Sequence, residues 1–400
     1  MVGSHWKRGS SFDCYIDTVA FGGDGIGRID NIVIFVPFTV DGDVVEVEIT
    51  GVQKKYLRGK LKKILTPSPQ RVEPRCLYFS KCGGCQYQHI LYEYQLEIKK
   101  RQVVESFERI GKLKIPFTKE IIPSPESFGY RGKAEYRVSI GKSQQPEIGF
   151  MDVEGSKLVT VERCELMEET INRALQDIRD DLITGKTKIH DERQIIWSEI
   201  SGEEKAAGTP EHVTRKVKGK SLLVPYKGFF QANLSLVDTL VDCVMEMGGL
   251  TGAETILDCH CGSGLFSLFL AGHAGQVYGI EIDGRSAKYA RLNYKNHGIS
   301  NAAVFRGDVK DVVKDEITAK MINIDLVILD PPRIGCSGDV LSGIVDLKPE
   351  KIIYVACNPA TQARDIRYLT DKGFSLRALQ PIDMFPQTKH IEVIAVLEKS

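Results

Sequence analysis

The sequence predicts an α/β chain. Its C-terminal part is a seven-stranded, mostly parallel sheet covered by helices, preceded by a small β-barrel and a strand-rich middle segment. Three observations predict this. From residue 255 onward, apolar runs of strand length alternate with segments of helix length, the pattern of parallel strands joined by crossover helices. The first seventy or so residues instead show short alternating runs split by turn signals, as in a small barrel. Between them lies a cysteine cluster, Cys76, Cys82 and Cys85, in a region of further short strands.

In chain order, CYIDTVAF, a Gly-rich turn GGDGIGR, NIVIFVPF, the turn VDGD, VVEVEIT and KYLRGKLKKIL supply the barrel, and the proline-rich TPSPQRVEP ends it near residue 70. LYEYQLEIKKRQVVESFERIG is a helix with Tyr92, Leu96, Val103, Phe107 and Ile110 on one stripe, stopping at Gly111. The middle segment offers YRVSIG, IIWSEISG and SLLVP as strands, with a polar loop SGEEKAAGTPEHV whose composition is that of a mobile connection. The helix SLVDTLVDCVMEM then leads into TILDC, VYGIEID, AAVFRGD, DLVILD, KIIYVAC, FSLRALQPI and EVIAVLE. The expected domains are therefore 1–70, 71–227 and 228–400.

Composition bounds the function. Four hundred residues, 42% hydrophobic and 26% charged, describe a soluble globular chain of two or three domains, expected as a monomer. No apolar stretch reaches membrane length and MVGSHWKRGSSF lacks a signal-peptide core, so the expected location is cytoplasmic with no membrane partner. In that reducing compartment ten cysteines read as metal ligands, a reactive thiol or buried thiols rather than disulfides. The net charge of zero hides a local basic run, Lys54, Lys55, Arg58, Lys60, Lys62 and Lys63, which fits either a solvated strand face or a nucleic-acid contact.

In parallel sheets ligands bind at the carboxyl ends of the strands, and five such ends carry chemistry. LDCHCGSGLF joins strand to helix through Gly262 and Gly264, a turn that lets backbone approach a ligand closely. Glu281, about twenty residues on, is placed to accept hydrogen bonds from ribose hydroxyls, and Asp308 to face an adenine. A dinucleotide site is the rival reading, but its third glycine is missing. DLVILDPPR presents Asp330 and Arg333, and KIIYVACNPATQARD presents Cys357 before a proline exit and a helix starting near Thr361, whose free amides favour a thiolate. The cysteine run is C-x5-C-x2-C, with Cys164 as a fourth ligand; by spacing alone, four thiolates suit zinc or a cubane iron-sulfur cluster.

FFQANLSL, LDCHCGSGLF, GIEID, LDPPR, YVACNPATQARD and MFPQTKHIE, in that order and behind the cysteine cluster, resemble the RNA uridine C5-methyltransferases of the TrmA and RumA type. The resemblance spans the chain. It implies a Rossmann-like methyltransferase sheet, a TRAM-like front barrel (also OB-like) and S-adenosyl-L-methionine as methyl donor. It further implies Cys357 as nucleophile, Glu392 as general base, and Gln231, His260, Gly262, Gly264, Glu281, Asp308 and Asp330 around cofactor and base. It tips the cluster of Cys76, Cys82, Cys85 and Cys164 toward [4Fe-4S], and marks Arg131 and Lys133 as RNA contacts. The RNA implied is ribosomal, although members acting on tRNA share the motifs. Three positions depart from the family pattern: His260 replaces an aromatic residue, Gln387 replaces the histidine that usually follows MFP, and Leu265 replaces a polar residue.

The chemistry accounts for these residue types. A thiolate adding to carbon 6 of uracil makes carbon 5 nucleophilic; Gln231 and Arg333 are the donors for the enolate charge, and a carboxylate must then take the carbon 5 proton. The target uridine must be unpaired or flipped out, with the basic run, Tyr56, Phe21 and Phe35 holding backbone and bases. A methyltransferase acting on an exocyclic amine fits LDPPR but has no use for Cys357. A non-catalytic RNA-binding protein has no need of Cys357 and Glu392 together, and a radical enzyme would require a tighter three-cysteine motif.

Overall fold

The computed structural model describes residues 6–115, 117–140, 145–186, 193–198 and 210–400. The chain divides into two compact units: Met1–Gln102 with Glu126–Ile196 and Phe385–His390, and Val103–Pro125 with Trp197–Met384 and Ile391–Ser400. The later part of IIWSEISG and most of SGEEKAAGTPEHV lie outside the described residues.

The first unit opens with five strands, β1 (Ser11–Val19), β2 (Asp24–Ile29), β3 (Ile32–Pro37), β4 (Val44–Val52) and β5 (Tyr56–Thr66), closed into a barrel in the order β1-β2-β3-β5-β4. Inward-pointing Ile16, Ile34, Val36, Val45, Val47, Ile49 and Leu57 fill it. On β5 the inward Leu57 alternates with exposed Arg58, Lys60 and Lys62, so the basic run is an outer strand face. Much of the glycine segment expected to be a turn is strand β2. Its glycines answer crowding: a Cβ on Gly25 would sit 2.0 Å from Thr39 Oγ1, and one on Gly27 2.3 Å from Cys14 Sγ.

The helix Tyr92–Arg109 forms where the apolar stripe predicts it, but its buried face only partly follows that stripe. Val103 and Phe107 are buried as expected, whereas Ile110 is half exposed, and Gln95, Lys99 and Gln102 point inward. The reason is hydrogen bonding. Gln102 Nε2 donates to the carbonyls of Val19 and Ala20, and Lys99 Nζ to that of Phe385, so polar burial is satisfied by backbone. Strands β6 (Lys133–Ile140), β7 (Pro146–Met151), β8 (Leu158–Thr160) and β9 (Arg193–Trp197) form a sheet in the order β8-β7-β6-β9, and Ile171 and Leu175 of the helix Glu169–Ile183 share its core.

In the second unit the hairpin β10 (His212–Val217) and β11 (Lys220–Pro225) precedes the large sheet. Its strands are β12 (Thr255–Cys259), β13 (Gln276–Glu281), β14 (Ala302–Arg306), β15 (Leu326–Leu329), β16 (Lys351–Ala356), β17 (Phe374–Ile382) and β18 (Glu392–Lys399). The seven run in the order β14-β13-β12-β15-β16-β18-β17, and only β18 opposes its neighbours. Chain order reverses between β12 and β15, the place where such sheets open a crevice. Cys259 pairs with both Ile280 and Leu329, so β12, β13 and β15 end at one edge. Among the described residues no helix is long and apolar enough to cross a membrane.

Candidate active site

The reacting end follows from strand register. Ala356, the last residue of β16, pairs with Val393 across antiparallel β18, so Cys357 leaves the strand end beside Glu392, the first residue of β18. Asp330 follows β15, and its amide reaches the carbonyl of Cys259 at 3.4 Å. Cys357 is half-buried, Glu392 is 4% exposed and Arg333 is exposed.

These groups act on one another. Burial, then the Asp330 charge, pushes the Glu392 carboxyl well above the usual range, with Arg333 opposing. Burial and Glu392 push the Cys357 thiol up to about 11, again opposed by the Arg333 guanidinium through charge and hydrogen bonding. The thiol of the free protein thus sits high. The helix Pro359–Thr370 begins beside it, as expected, but burial and the carboxylates outweigh any help from its amides.

At the glycine turn, Gly262 and Gly264 have φ of 56° and 85°, and His260 has 63°, a left-handed backbone that explains the glycines. Glu281, at the end of β13, accepts from the amides of Gly262 (2.9 Å) and Asp283 (2.7 Å), tying the turn to the next strand. Asp308 caps the following short helix, accepting from the Lys310 amide at 3.1 Å. Gln231 is buried before the turn Leu234–Leu236.

Asp258 was not singled out from sequence, although an acid inside the apolar run TILDC is itself a signal, because a buried charge needs a reason. Its Oδ2 accepts from the Ser267 amide (3.1 Å) and hydroxyl, while its Oδ1 is buried without a partner. Burial, with the Glu281 charge adding, pushes Asp258 up to about 7; burial and Asp258 do the same to Asp330. His260 Nε2 and Ser263 Oγ are likewise buried and unpartnered. Three orphaned polar atoms beside an open glycine turn fit a polar ligand at the carboxyl ends of β12 and β13.

The remaining predicted residues lie in the first unit. Cys76, Cys82, Cys85 and Cys164 line one largely apolar cavity of about 70 Å³, with Arg131 also in its wall. Burial raises all four thiols, Cys85 to about 12 and Cys164 to about 11, and each of these two feels the charges of other cysteines in the set. Gln88 donates to Cys85 Sγ at 3.2 Å and accepts from the Cys76 amide. Among the described residues, no three Cys, His, Asp or Glu side chains converge as a site for a single metal ion. Lys133 is half-buried, and burial lowers its ammonium pKa.

Gln387, the departure flagged in the sequence, is buried in the first unit at φ 66°. It is held by Gln95: Gln95 Nε2 donates to Gln387 Oε1 (2.9 Å), and the Gln387 amide donates back to Gln95 Oε1 (3.0 Å). Its carbonyl takes the amides of Gln86 and Tyr87, and Tyr130 Oη donates to the Pro386 carbonyl.

Comparison with known proteins agrees with this fold. The family described as tRNA (Uracil-5-)-methyltransferase matches residues 212–400, and the TRAM domain matches residues 5–62. An uncharacterized RNA methyltransferase of Synechocystis is 31% identical over 451 residues, covering 98% of this chain and 96% of the relative. One from Caldanaerobacter subterraneus is 32% identical over 453 residues, covering 98% and 99%. The solved structure of Pyrococcus abyssi tRNA (uracil-54, C5)-methyltransferase in complex with S-adenosyl-L-homocysteine shares the fold, with a TM-score of 0.73 at 24% identity over 96% of this chain and 100% of that one.

Proposed function

The chain belongs to the tRNA (uracil-5-)-methyltransferase family, and from that premise we propose that it methylates carbon 5 of a uridine in folded RNA through a covalent adduct to Cys357. The observation that supports this most is that Cys357 leaves the end of β16 beside Glu392 at the start of β18, with Asp330 and Arg333 acting on both. An exocyclic-amine methyltransferase would gain nothing from that pairing.

Cys357, once ionised, attacks carbon 6; the thiol proton leaves to solvent or a neighbouring carboxylate. Arg333 and Gln231 donate to the charge that develops on the uracil oxygens, and Asp330 orients the ring. S-adenosyl-L-methionine, when bound, supplies an electrophilic methyl carbon. Glu392 then takes the carbon 5 proton, and the Cys357 sulfur leaves as carbon 6 and carbon 5 regain their double bond. A carboxylate whose pKa is raised by burial is, when ionised, the stronger base, which suits this step. Gly262, Gly264, His260, Glu281 and Asp308 would hold the methyl donor, and the orphaned atoms of Asp258, His260 and Ser263 fit that use.

We also propose that Cys76, Cys82, Cys85 and Cys164 hold a [4Fe-4S] cluster. In a cubane each thiolate binds its own iron, so the sulfurs ring a cavity; zinc needs them gathered at about 2.3 Å from one point. Four thiols lining one cavity suit the cubane, with zinc as the alternative. Iron and zinc content after anaerobic purification decides between them. Residues 1–70 would grip RNA, with Arg131 and Lys133 of 71–227 as further contacts and 228–400 as the catalytic domain of a cytoplasmic monomer. Ribosomal RNA is the substrate we favour. Incubation with the methyl donor and total RNA from a strain lacking the gene, followed by mapping of 5-methyluridine, tests this: a single site in ribosomal RNA supports it, a site in tRNA redirects it, and methylated amines overturn it.

A further inference from the structure

The glycine turn after β12 is tied down by more than Glu281. Two consecutive residues of the helix Gly284–Asn296, Asn293 and Tyr294, also meet it. Asn293, fully buried, donates from Nδ2 to the Ser263 carbonyl at 2.9 Å. The Tyr294 ring fills the space beside Gly264, where an added Cβ would lie 2.9 Å from its Cε1. The rest of the Asn293 amide turns to the hairpin. Among the described strands β11 pairs with β10 alone, so its other edge carries peptide groups with no strand beside them. At that edge Asn293 does what a strand would: its Oδ1 accepts from the Leu223 amide at 2.8 Å, and its Nδ2 donates to the Leu223 carbonyl at 3.0 Å. The oxygen and both protons of one buried side-chain amide are thereby bonded, with two contacts on the hairpin and one on the turn.

We propose that Asn293 is a positioning residue for the methyl donor: it fixes the Ser263 carbonyl, and with it the left-handed path through Gly262 and Gly264, and ties that path to the edge of β11. The inference rests on this turn being the donor site of the proposed function. Glycines at φ 56° and 85° have many other conformations open to them, so a turn built on two of them binds well only if something else holds its shape beforehand. Without Asn293 the buried Ser263 carbonyl loses its donor, and the turn is freed to move. His297, which caps the same helix, provides a contrast. Its Nε2 donates to the Ser221 carbonyl at 2.8 Å, binding this helix to the same hairpin but not to the turn.

The test is the dissociation constant of S-adenosyl-L-homocysteine, measured by titration calorimetry on the full chain at a temperature where circular dichroism shows each variant folded. Asn293→Ala is expected to weaken binding about tenfold, the size of a lost buried hydrogen bond whose acceptor is left stranded. His297→Ala should leave binding unchanged while speeding hydrogen exchange over residues 220–225. If Asn293 only anchored the helix to the hairpin, the two variants would behave alike; that result, or an Asn293→Ala affinity equal to wild type, would overturn the proposal. Should Asn293→Ala not fold, the wild-type chain decides. S-adenosyl-L-homocysteine should then slow exchange over residues 220–225, which Asn293 links to the turn, and no slowing there would overturn the proposal. Glu281→Gln, measured beside these, tests the reading underneath. An unchanged affinity would mean that the turn is not the donor site and would remove the inference with it, whereas a loss with Glu281→Gln and none with Asn293→Ala would sink the inference alone.

Discussion

Gln95 and Gln387 bond each other, yet replacing them should have unequal costs. In Gln387→Leu the Gln95 Nε2 protons keep the carbonyls of Ile90 (2.8 Å) and Tyr87 (3.2 Å) as acceptors, so one hydrogen bond is lost without stranding a donor, about 1 kcal/mol. In Gln95→Leu the buried Gln387 amide loses the acceptor that holds it at 3.0 Å, and the Ile90 carbonyl and Gln387 Oε1 lose their shared donor. A stranded buried group costs about 1–3 kcal/mol, so the loss should reach roughly 3 kcal/mol or more. Hydrogen exchange of residues 385–390 is the direct assay, since each 1.4 kcal/mol is about tenfold in protection. Gln387→Leu should raise exchange there several-fold and Gln95→Leu about a hundredfold. Equal effects, or a larger one from Gln387→Leu, would refute the reasoning that main-chain satisfaction, rather than the side-chain pair, holds this segment.

Stability should fall with rising pH through the window set by Asp258. Its folded pKa of about 7 lies above the ordinary 3.8, so the neutral form is favoured in the folded state. The contribution is complete below about pH 4 and is lost as pH rises toward 7, by up to about 4 kcal/mol. Asp258→Asn should flatten that part of the stability curve in urea unfolding; parallel curves would contradict the assignment. Gly27→Ala places a Cβ 2.6 Å from the Tyr15 carbonyl as well as against Cys14, and should destabilise the barrel by about 1–3 kcal/mol, whereas Gly272→Ala meets nothing within 4 Å and should change the melting temperature little.

The large sheet was legible because strands buried on both faces are near-continuous apolar runs, and each ended at a charge or turn that the structure keeps. β2 was hidden because its glycines answer contacts with Thr39 and Cys14 on neighbouring segments, which no local pattern displays. The helix Tyr92–Arg109 was found, but its inward face was misjudged, since an apolar count cannot see Gln95 and Gln102 buried with their hydrogen bonds met. Gln387 stood out as a departure, while its partner lies 292 positions away. Cys357 and Glu392 were each nameable from motifs. That they come to lie beside each other depends on the antiparallel insertion of β18 beside β16, a property of topology.

The central claim is that Cys357 attacks the RNA and Glu392 releases it. The most direct measurement is denaturing electrophoresis of Glu392→Gln after incubation with S-adenosyl-L-methionine and substrate RNA. The account predicts a slower band in which RNA is bonded to the Cys357 peptide and carries a methyl group on carbon 5, and its disappearance in the Cys357→Ala, Glu392→Gln double variant. A methylated product released at the wild-type rate by Cys357→Ala would contradict it.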